Sequence, residues 1–199
     1  MRTAANLITF LRLVLSVVFF VLLGISEPAL GKSSGILYAA LAVFVIAGLT
    51  DILDGYLARK EKTQSSFGRV ADPFVDKFLT CGGFILLIGK VPMLQAWMVL
   101  TIVARELLVT AMRSFAESRD VSFSATRWGK SKAFAQNVAL GGCVMYLALL
   151  HRYSFGKSLI TTLLYVAVVA TVASGLVYIL NAKRLLMGKA AQGHCESRF

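Results

Sequence analysis

Acidic residues are scarce in this chain: ten Asp and Glu stand against 21 Lys and Arg. All charged residues together make up only 16% of the 199 positions, whereas water-soluble domains carry about 25%. With a mean hydropathy of +0.74, this composition excludes an ordinary soluble globule. Cysteine is sparse too. Cys81 and Cys143 fall inside apolar stretches and Cys195 near the C-terminus. An odd number at such wide spacing suggests neither a disulfide framework nor a thiolate metal cluster. His151 and His194 lack ligand spacing as well. No internal repeat is evident and no linker divides the chain, so one domain is expected.

What the chain has in quantity is uncharged sequence, in stretches at 13–26, 33–50, 78–89, 91–104, 133–150 and 158–182. A hydrocarbon layer about 30 Å thick takes roughly 20 residues of helix to cross. With their flanks, these stretches predict six transmembrane helices near 4–25, 34–58, 73–89, 92–115, 131–150 and 157–182. The expected fold class is therefore an all-α integral membrane protein. Residues 1–182 form one transmembrane domain, and 183–199 form a polar, mobile cytoplasmic tail. A soluble helical bundle would need polar faces at helical period. The segment 158–182 offers only small hydroxyls and two tyrosines. Residues 1–25 resemble a signal peptide in outline, but five further spans follow. The terminal CESRF does not fit a prenylation box, because its cysteine is five residues from the end.

The net charge of +11 invites a nucleic-acid partner, but the placement of the charge argues against one. With both termini cytoplasmic, fifteen cations fall on the inner side: Arg2, Arg12, Arg59, Lys60, Lys62, Arg69, Arg113, Arg119, Arg127, Lys130, Lys132, Lys183, Arg184, Lys189 and Arg198. Four fall outside, at Lys32, Lys90, Arg152 and Lys157, while Lys77 and Arg105 lie within helices. Such an excess on cytoplasmic loops is the positive-inside pattern. It places the protein in the inner (plasma) membrane as a multi-pass chain. The same basic face attracts anionic lipid headgroups and anionic substrates. The two longer charged connections, 59–72 and 113–131, share this face, and sites usually lie on such loops.

Against this background the stretch LTDILDGYLARKEKTQSSFGRVADPFVDKFL, residues 49–79, stands out. Asp51 and Asp54 are three apart, and Asp72 and Asp76 four apart, so on helices each pair projects from one face. The polar residues between them read as a turn that returns the chain antiparallel. The two pairs then converge at the cytoplasmic mouth of helices 2 and 3. Four like charges in one place repel unless cations hold them. Hard oxygen ligands suit Mg²⁺ or Mn²⁺, and four carboxylates are enough to bridge two such ions. Gly55 and Gly68 each cost a helix about 1 kcal/mol against alanine, which close backbone approach of a ligand would explain. Arg59, one turn beyond Gly55, offers a planar fork for phosphate. Carboxylates that merely cap helix ends would not require this spacing.

The spacing D-x₂-D-G-x₂-A-R-x₈-G-x₃-D-x₃-D resembles the signature of the CDP-alcohol phosphotransferases. Asp51, Asp54, Gly55, Ala58, Arg59, Gly68, Asp72 and Asp76 match every fixed position. The resemblance implies the six-helix fold of that family and a homodimer. It further implies a two-metal site that binds CDP-diacylglycerol and displaces CMP with an alcohol. Asp51 and Asp72 would bridge the ions, Asp54 would complete one shell and Asp76 the other, with Asp76 also the general base. Gly55, Ala58, Arg59, Ser65 and Gly68 match the CDP-diacylglycerol side of the family site. Asn6 and Thr9, in the similar N-terminal NLITFLR, join them near the nucleotide together with Arg12. Two ions clamping a pyrophosphate and a carboxylate taking a hydroxyl proton agree with general catalytic chemistry.

Helix 4 carries VARELLVTAMRSFAE. An arginine inside a span is expensive, and Arg113 lies about 80° around the helix from Arg105, so the two share a face. Lys130 and Lys132 open helix 5. Cations converging from the cytoplasmic side suggest an anionic acceptor, most simply a phosphate. RELLVTAMR and GKSKAFAQ are similar to segments of bacterial phosphatidylglycerophosphate synthases. That resemblance implies that Arg105, Arg113 and Lys130 hold the phosphate of glycerol 3-phosphate. Ala133 departs from the threonine of many relatives. Glu106 points about 100° away from Arg105 and reads as the partner of another cation. Trp97 and Trp128 read as interface anchors. Other acceptors, inositol phosphate, serine or phosphatidylglycerol, keep the chemistry, although serine would not need the arginine pair. A cation-coupled transporter would place carboxylates near the midplane on broken helices, and a scaffold would leave the acidic cluster unexplained.

Overall fold

In the computed structural model each apolar stretch is a helix, in the expected order. The backbone is described for residues 2–26, 34–61, 66–117 and 127–196, and side chains for 10–26, 35–50, 74–75, 77–115 and 131–180. The elements are α1 (Arg2–Ile25), α2 (Ser34–Glu61), α3 (Ser66–Leu87), α4 (Ala96–Glu117), α5 (Arg127–Ala148) and α6 (Ser154–Glu196), with a 3₁₀ turn at Leu150–Arg152 before α6. Among the described residues there is no strand.

Several boundaries differ from the expectation. The uncharged run 78–89 reaches spanning length if its helix starts near Pro73, the expected boundary; α3 instead begins at Ser66. A proline in the interior removes one backbone donor, and the hydrogen bonds on either side carry the helix past it. The 113–131 connection shortens similarly, because α4 runs to Glu117 and α5 starts at Arg127. α6 continues to Glu196 through most of the segment expected to be a mobile tail. Of that helix, Ser154–Leu180 is long and apolar enough to cross a membrane, with mean hydropathy 2.3 over its most apolar window. Among the described residues, shorter apolar stretches occur at Phe10–Ile25, Gly35–Thr50 and Lys77–Leu87.

α1 packs along both α2 and α3, α5 packs on α6 and α2, and α4 joins α6 to α3. Phe19, Leu23, Phe84, Leu87, Met98, Ile102, Leu140, Val144, Ile160 and Leu164 are buried where these helices meet. An aromatic chain links three helices: the ring of Phe19 lies 5.5 Å from Phe44, and Phe20 meets Phe78 edge-on at 5.0 Å. Gly82 makes room for it, since a Cβ there would lie 2.4 Å from Phe20 Cζ.

Beside this apolar core, several polar side chains are buried and many large apolar ones are exposed. Arg12, Glu106, Lys132, Gln136, Thr171 and Ser174 are buried, while Leu100, Leu107, Phe134 and Val169 are each at least 65% exposed. Burying charged and amide groups is costly unless each finds a partner. The interior is therefore where specific contacts are to be sought.

One such contact ties the end of α1 to the α3–α4 turn. Gly89 has φ +80°, which lets the chain reverse after α3. Lys90 then points back at α1, where its Nζ donates to Ser26 O at 2.6 Å and to Leu23 O. The last carbonyls of a helix lack intrahelical partners and carry partial negative charge, so a cation there is stabilising. Lys90→Met is expected to lower the unfolding free energy in detergent by about 1–2 kcal/mol. An unchanged midpoint in a denaturation series would show that these bonds contribute nothing.

Candidate active site

Four residues, 62–65, join α2 to α3. So short a connection holds the two helix ends within about 18 Å, and both helices pack along α1. Asp54 lies seven residues before the end of α2, and Asp72 six residues after the start of α3. At a rise of 1.5 Å per residue these depths are about 10 and 9 Å. Asp51 and Asp76 each lie ten residues from the same ends, a depth of about 15 Å. The two aspartate pairs thus lie at similar distances along their helices from the connected ends of α2 and α3.

The side chains of Asp51, Asp54, Gly55, Ala58, Arg59, Gly68, Asp72 and Asp76 lie outside the described residues, as do those of Asn6 and Thr9 on α1 and Lys130 on α5. Ser65 lies outside them altogether. Among the described residues no three His, Cys, Asp or Glu side chains gather as metal ligands. The four aspartates are then the donor set to consider. A set made only of carboxylates fits a hard divalent cation.

Beside Asp76 the picture is atomic. Lys77, the next residue, crosses to α4, where its Nζ donates to Thr110 Oγ1. Thr110 Oγ1 itself donates to the Glu106 carbonyl at 2.7 Å. Asp76 therefore sits at the level of the α4 turn that carries Arg105 and Glu106. Glu106 is 5% exposed, and its Oε1 accepts from Lys132 Nζ on α5 and from Arg105 Nη1 at 3.3 Å. The sequence pointed to a cation partner for Glu106, and Lys132 is that cation. Arg105 joins despite the angle between neighbouring residues, because its long side chain bends back. Its stem runs over Gly175 of α6, where a Cβ would come within 3.3 Å of Arg105 Cγ.

Arg113, two turns on, is partly buried. Arg105 Nε and Arg113 Nε are buried nitrogens without a hydrogen-bond partner among the described residues. A buried donor left without a partner costs about 1–3 kcal/mol. Two such donors on one face of one helix mark a place where an acceptor group is due. Lys77, Thr80, Glu106, Lys132, Gln136 and Asn137 line a narrow cleft between α3, α4 and α5 at this level.

The sequence reading did not find the neutral members of this group. Gln136 and Asn137 sit in a stretch defined only by having no charge, and Lys77 was set aside as lying within a helix. Thr80 Oγ1 donates to Asn137 Oδ1 at 3.1 Å, and Gln136 Nε2 donates to Thr171 Oγ1 at 2.9 Å. The available signal was spacing: Lys132 and Gln136 are four apart and lie on one helical face.

The profile of the CDP-alcohol phosphatidyltransferase family matches residues 2–180. Over 140 residues the chain is 35% identical to the CDP-diacylglycerol–glycerol-3-phosphate 3-phosphatidyltransferase of Bacillus subtilis, covering 70% of this chain and 71% of that one. A protein of the same name from Haemophilus influenzae is 36% identical over 151 residues, with 73% and 77% covered. A Mycobacterium tuberculosis protein named "Probable phosphatidylglycerophosphate synthase" is 34% identical over 185 residues, with 92% and 83% covered.

The buried Gln136–Thr171 pair supplies a stability test separate from the chemistry. Thr171→Val removes the hydroxyl that receives the Gln136 amide and is expected to cost about 1–3 kcal/mol. Thr171→Ser should retain most of the wild-type unfolding midpoint. Equal midpoints for the valine and serine variants would contradict this account.

Proposed function

The chain belongs to the CDP-alcohol phosphatidyltransferase family, and we propose that it transfers the phosphatidyl group of CDP-diacylglycerol to glycerol 3-phosphate. The products are phosphatidylglycerophosphate and CMP. The names of its relatives support this reading, as does the α4 face on which Arg105 and Arg113 each keep a buried, unpartnered nitrogen. An acceptor that brings its own phosphate would satisfy those donors, because guanidinium groups bind phosphate in a planar fork.

In this reading a hydroxyl oxygen of glycerol 3-phosphate attacks the diacylglycerol-bearing phosphorus. The bond from that phosphorus to the bridging oxygen breaks, and CMP leaves with the oxygen. The hydroxyl has a high pKa, so its proton must be taken as attack proceeds, and Asp76 is the proposed base. Asp51, Asp54, Asp72 and Asp76 would hold two divalent cations, Mg²⁺ or Mn²⁺, which when bound offset the charge of the pyrophosphate and of the leaving CMP. Gly55, Ala58, Arg59, Ser65 and Gly68, with Asn6 and Thr9 of α1, would receive the nucleotide end of the donor lipid. Arg105, Arg113 and Lys130 would hold the acceptor phosphate. The Lys77–Thr110 bond supports the pairing of these roles, because it brings the α4 cations to the level of Asp76.

The reading includes six membrane spans in an inner membrane, cytoplasmic termini, a cytoplasmic-facing site and a homodimer. The exposed apolar side chains and the buried polar ones support the spans. The fifteen-to-four distribution of cations supports the orientation. A donor with two acyl chains and a nucleotide suits a site at such an interface.

The test is CMP release by the purified full chain in detergent, with CDP-diacylglycerol, Mg²⁺ and one acceptor at a time. Glycerol 3-phosphate should support turnover, and inositol phosphate and serine should not. Release with a different acceptor alone would overturn the acceptor assignment. Chelation of divalent cations and Asp76→Asn should each abolish turnover. Arg113→Ala should raise the KM for glycerol 3-phosphate about tenfold or more, consistent with about 1.5–3 kcal/mol for a charge-assisted hydrogen bond. Full activity at an unchanged KM would remove Arg113 from the site.

A further inference from the structure

Glu106 is a buried carboxylate on a helix otherwise dominated by cations and apolar residues. A negative charge beside a phosphate site repels the ligand unless cations offset it. Both of its recorded ion pairs use the same oxygen, Oε1, which receives Lys132 Nζ from α5 and Arg105 Nη1 from α4. Two nitrogens bonded to one oxygen lie no farther apart than about 6 Å, a gap that a single phosphate group can bridge. Without the carboxylate between them, two buried like charges at that distance would repel and move apart.

The geometry leaves donors over. Arg105 carries five N–H donors, and its Nε is buried without a partner among the described residues. Its stem is confined between α4 and Gly175 of α6, so the guanidinium has little freedom to swing elsewhere. Lys132 is fixed by burial, at 6% exposure, and is four residues from Gln136, which Thr171 anchors. Glu106 thus joins one group from α4 to one from α5 at the depth of Asp76.

We propose that Glu106 is the positioning residue of the acceptor site: it holds Arg105 and Lys132 together at one carboxylate oxygen so that they bind one phosphate-bearing alcohol as a unit. The inference rests on the proposed transfer to an anionic alcohol and deepens it. It adds Lys132 to the phosphate-binding cations and gives the carboxylate a function distinct from proton transfer. The alternative is a staple between α4 and α5 that stabilises the bundle and leaves the acceptor untouched.

The two are separated by steady-state kinetics on the full-length protein in detergent. Glu106→Gln keeps the shape and removes the charge. It is expected to raise the KM for glycerol 3-phosphate at least tenfold, with kcat and the KM for CDP-diacylglycerol changed less than about threefold. Glu106→Asp should recover part of the lost affinity. If the single variants fold poorly, the pair Glu106→Gln with Lys132→Met removes both charges of the more deeply buried pair and leaves only Arg105 without its carboxylate. That double variant should unfold at a higher temperature than Glu106→Gln alone and still show the raised acceptor KM.

A staple predicts the opposite pattern: lowered unfolding midpoints for the single variants, with the acceptor KM at its wild-type value in the folded double variant. That result, or equal losses in kcat and both KM values, would overturn the proposal. A direct measurement keeps this distinct from failure of the transfer reading. Glycerol 3-phosphate alone, without donor lipid, should raise the thermal midpoint of the wild type and not that of Glu106→Gln. A wild type that shows this shift but releases no CMP would refute the transfer reading and not the role of Glu106. A shift retained in full by Glu106→Gln would refute that role whatever the turnover.

Discussion

Lys132 and Glu106 are each more than nine-tenths buried, where a charge is costly unless it is paired. Breaking a buried ion pair by removing one partner typically costs 3–5 kcal/mol, because an uncompensated charge remains. That asymmetry fixes α5 against α4 at one depth, and other contacts follow from it. Gln136, one turn beyond Lys132, meets Thr171 on α6. Lys77 reaches Thr110 one turn beyond Glu106. The apolar core adds shape-specific contacts to these, such as Phe20 seated over Gly82. The polar contacts fix a single register.

Much of this was legible in the sequence, for identifiable reasons. Six helices are readable because uncharged runs of that length have few alternatives, and the spacing of Asp51, Asp54, Gly55, Ala58, Arg59, Gly68, Asp72 and Asp76 carries a family resemblance that the profile match bears out. Helix ends were read less well. Polar residues around 66–72 and 183–196 look like connection or tail by composition, yet nothing in them forbids a helix, and α3 and α6 include them. Arg105 and Arg113 were found because charge is conspicuous in an apolar stretch. Gln136, Asn137, Thr80 and Thr171 were not found, because neutral polar groups scarcely alter hydropathy and their partners lie on other helices. A sequence shows which groups need a partner, but only the fold shows which one each receives.

The division of labour among the helices follows from the same packing. The motif residues lie on α2 and α3, while the cations read as acceptor ligands lie on α4 and α5. α3 touches both α4 and α5, and Asp76 and Lys77 are adjacent on it. Consecutive helical residues leave the helix about 100° apart. Lys77 donates to Thr110 on α4. α3 thus holds the element that carries Arg105 and Arg113 one residue along the chain from Asp76. On the proposed chemistry, the group that takes the proton and the group that sets its distance to the acceptor are neighbours in the chain. A change of acceptor could then arise on α4 and α5, with the α2–α3 motif left as it is.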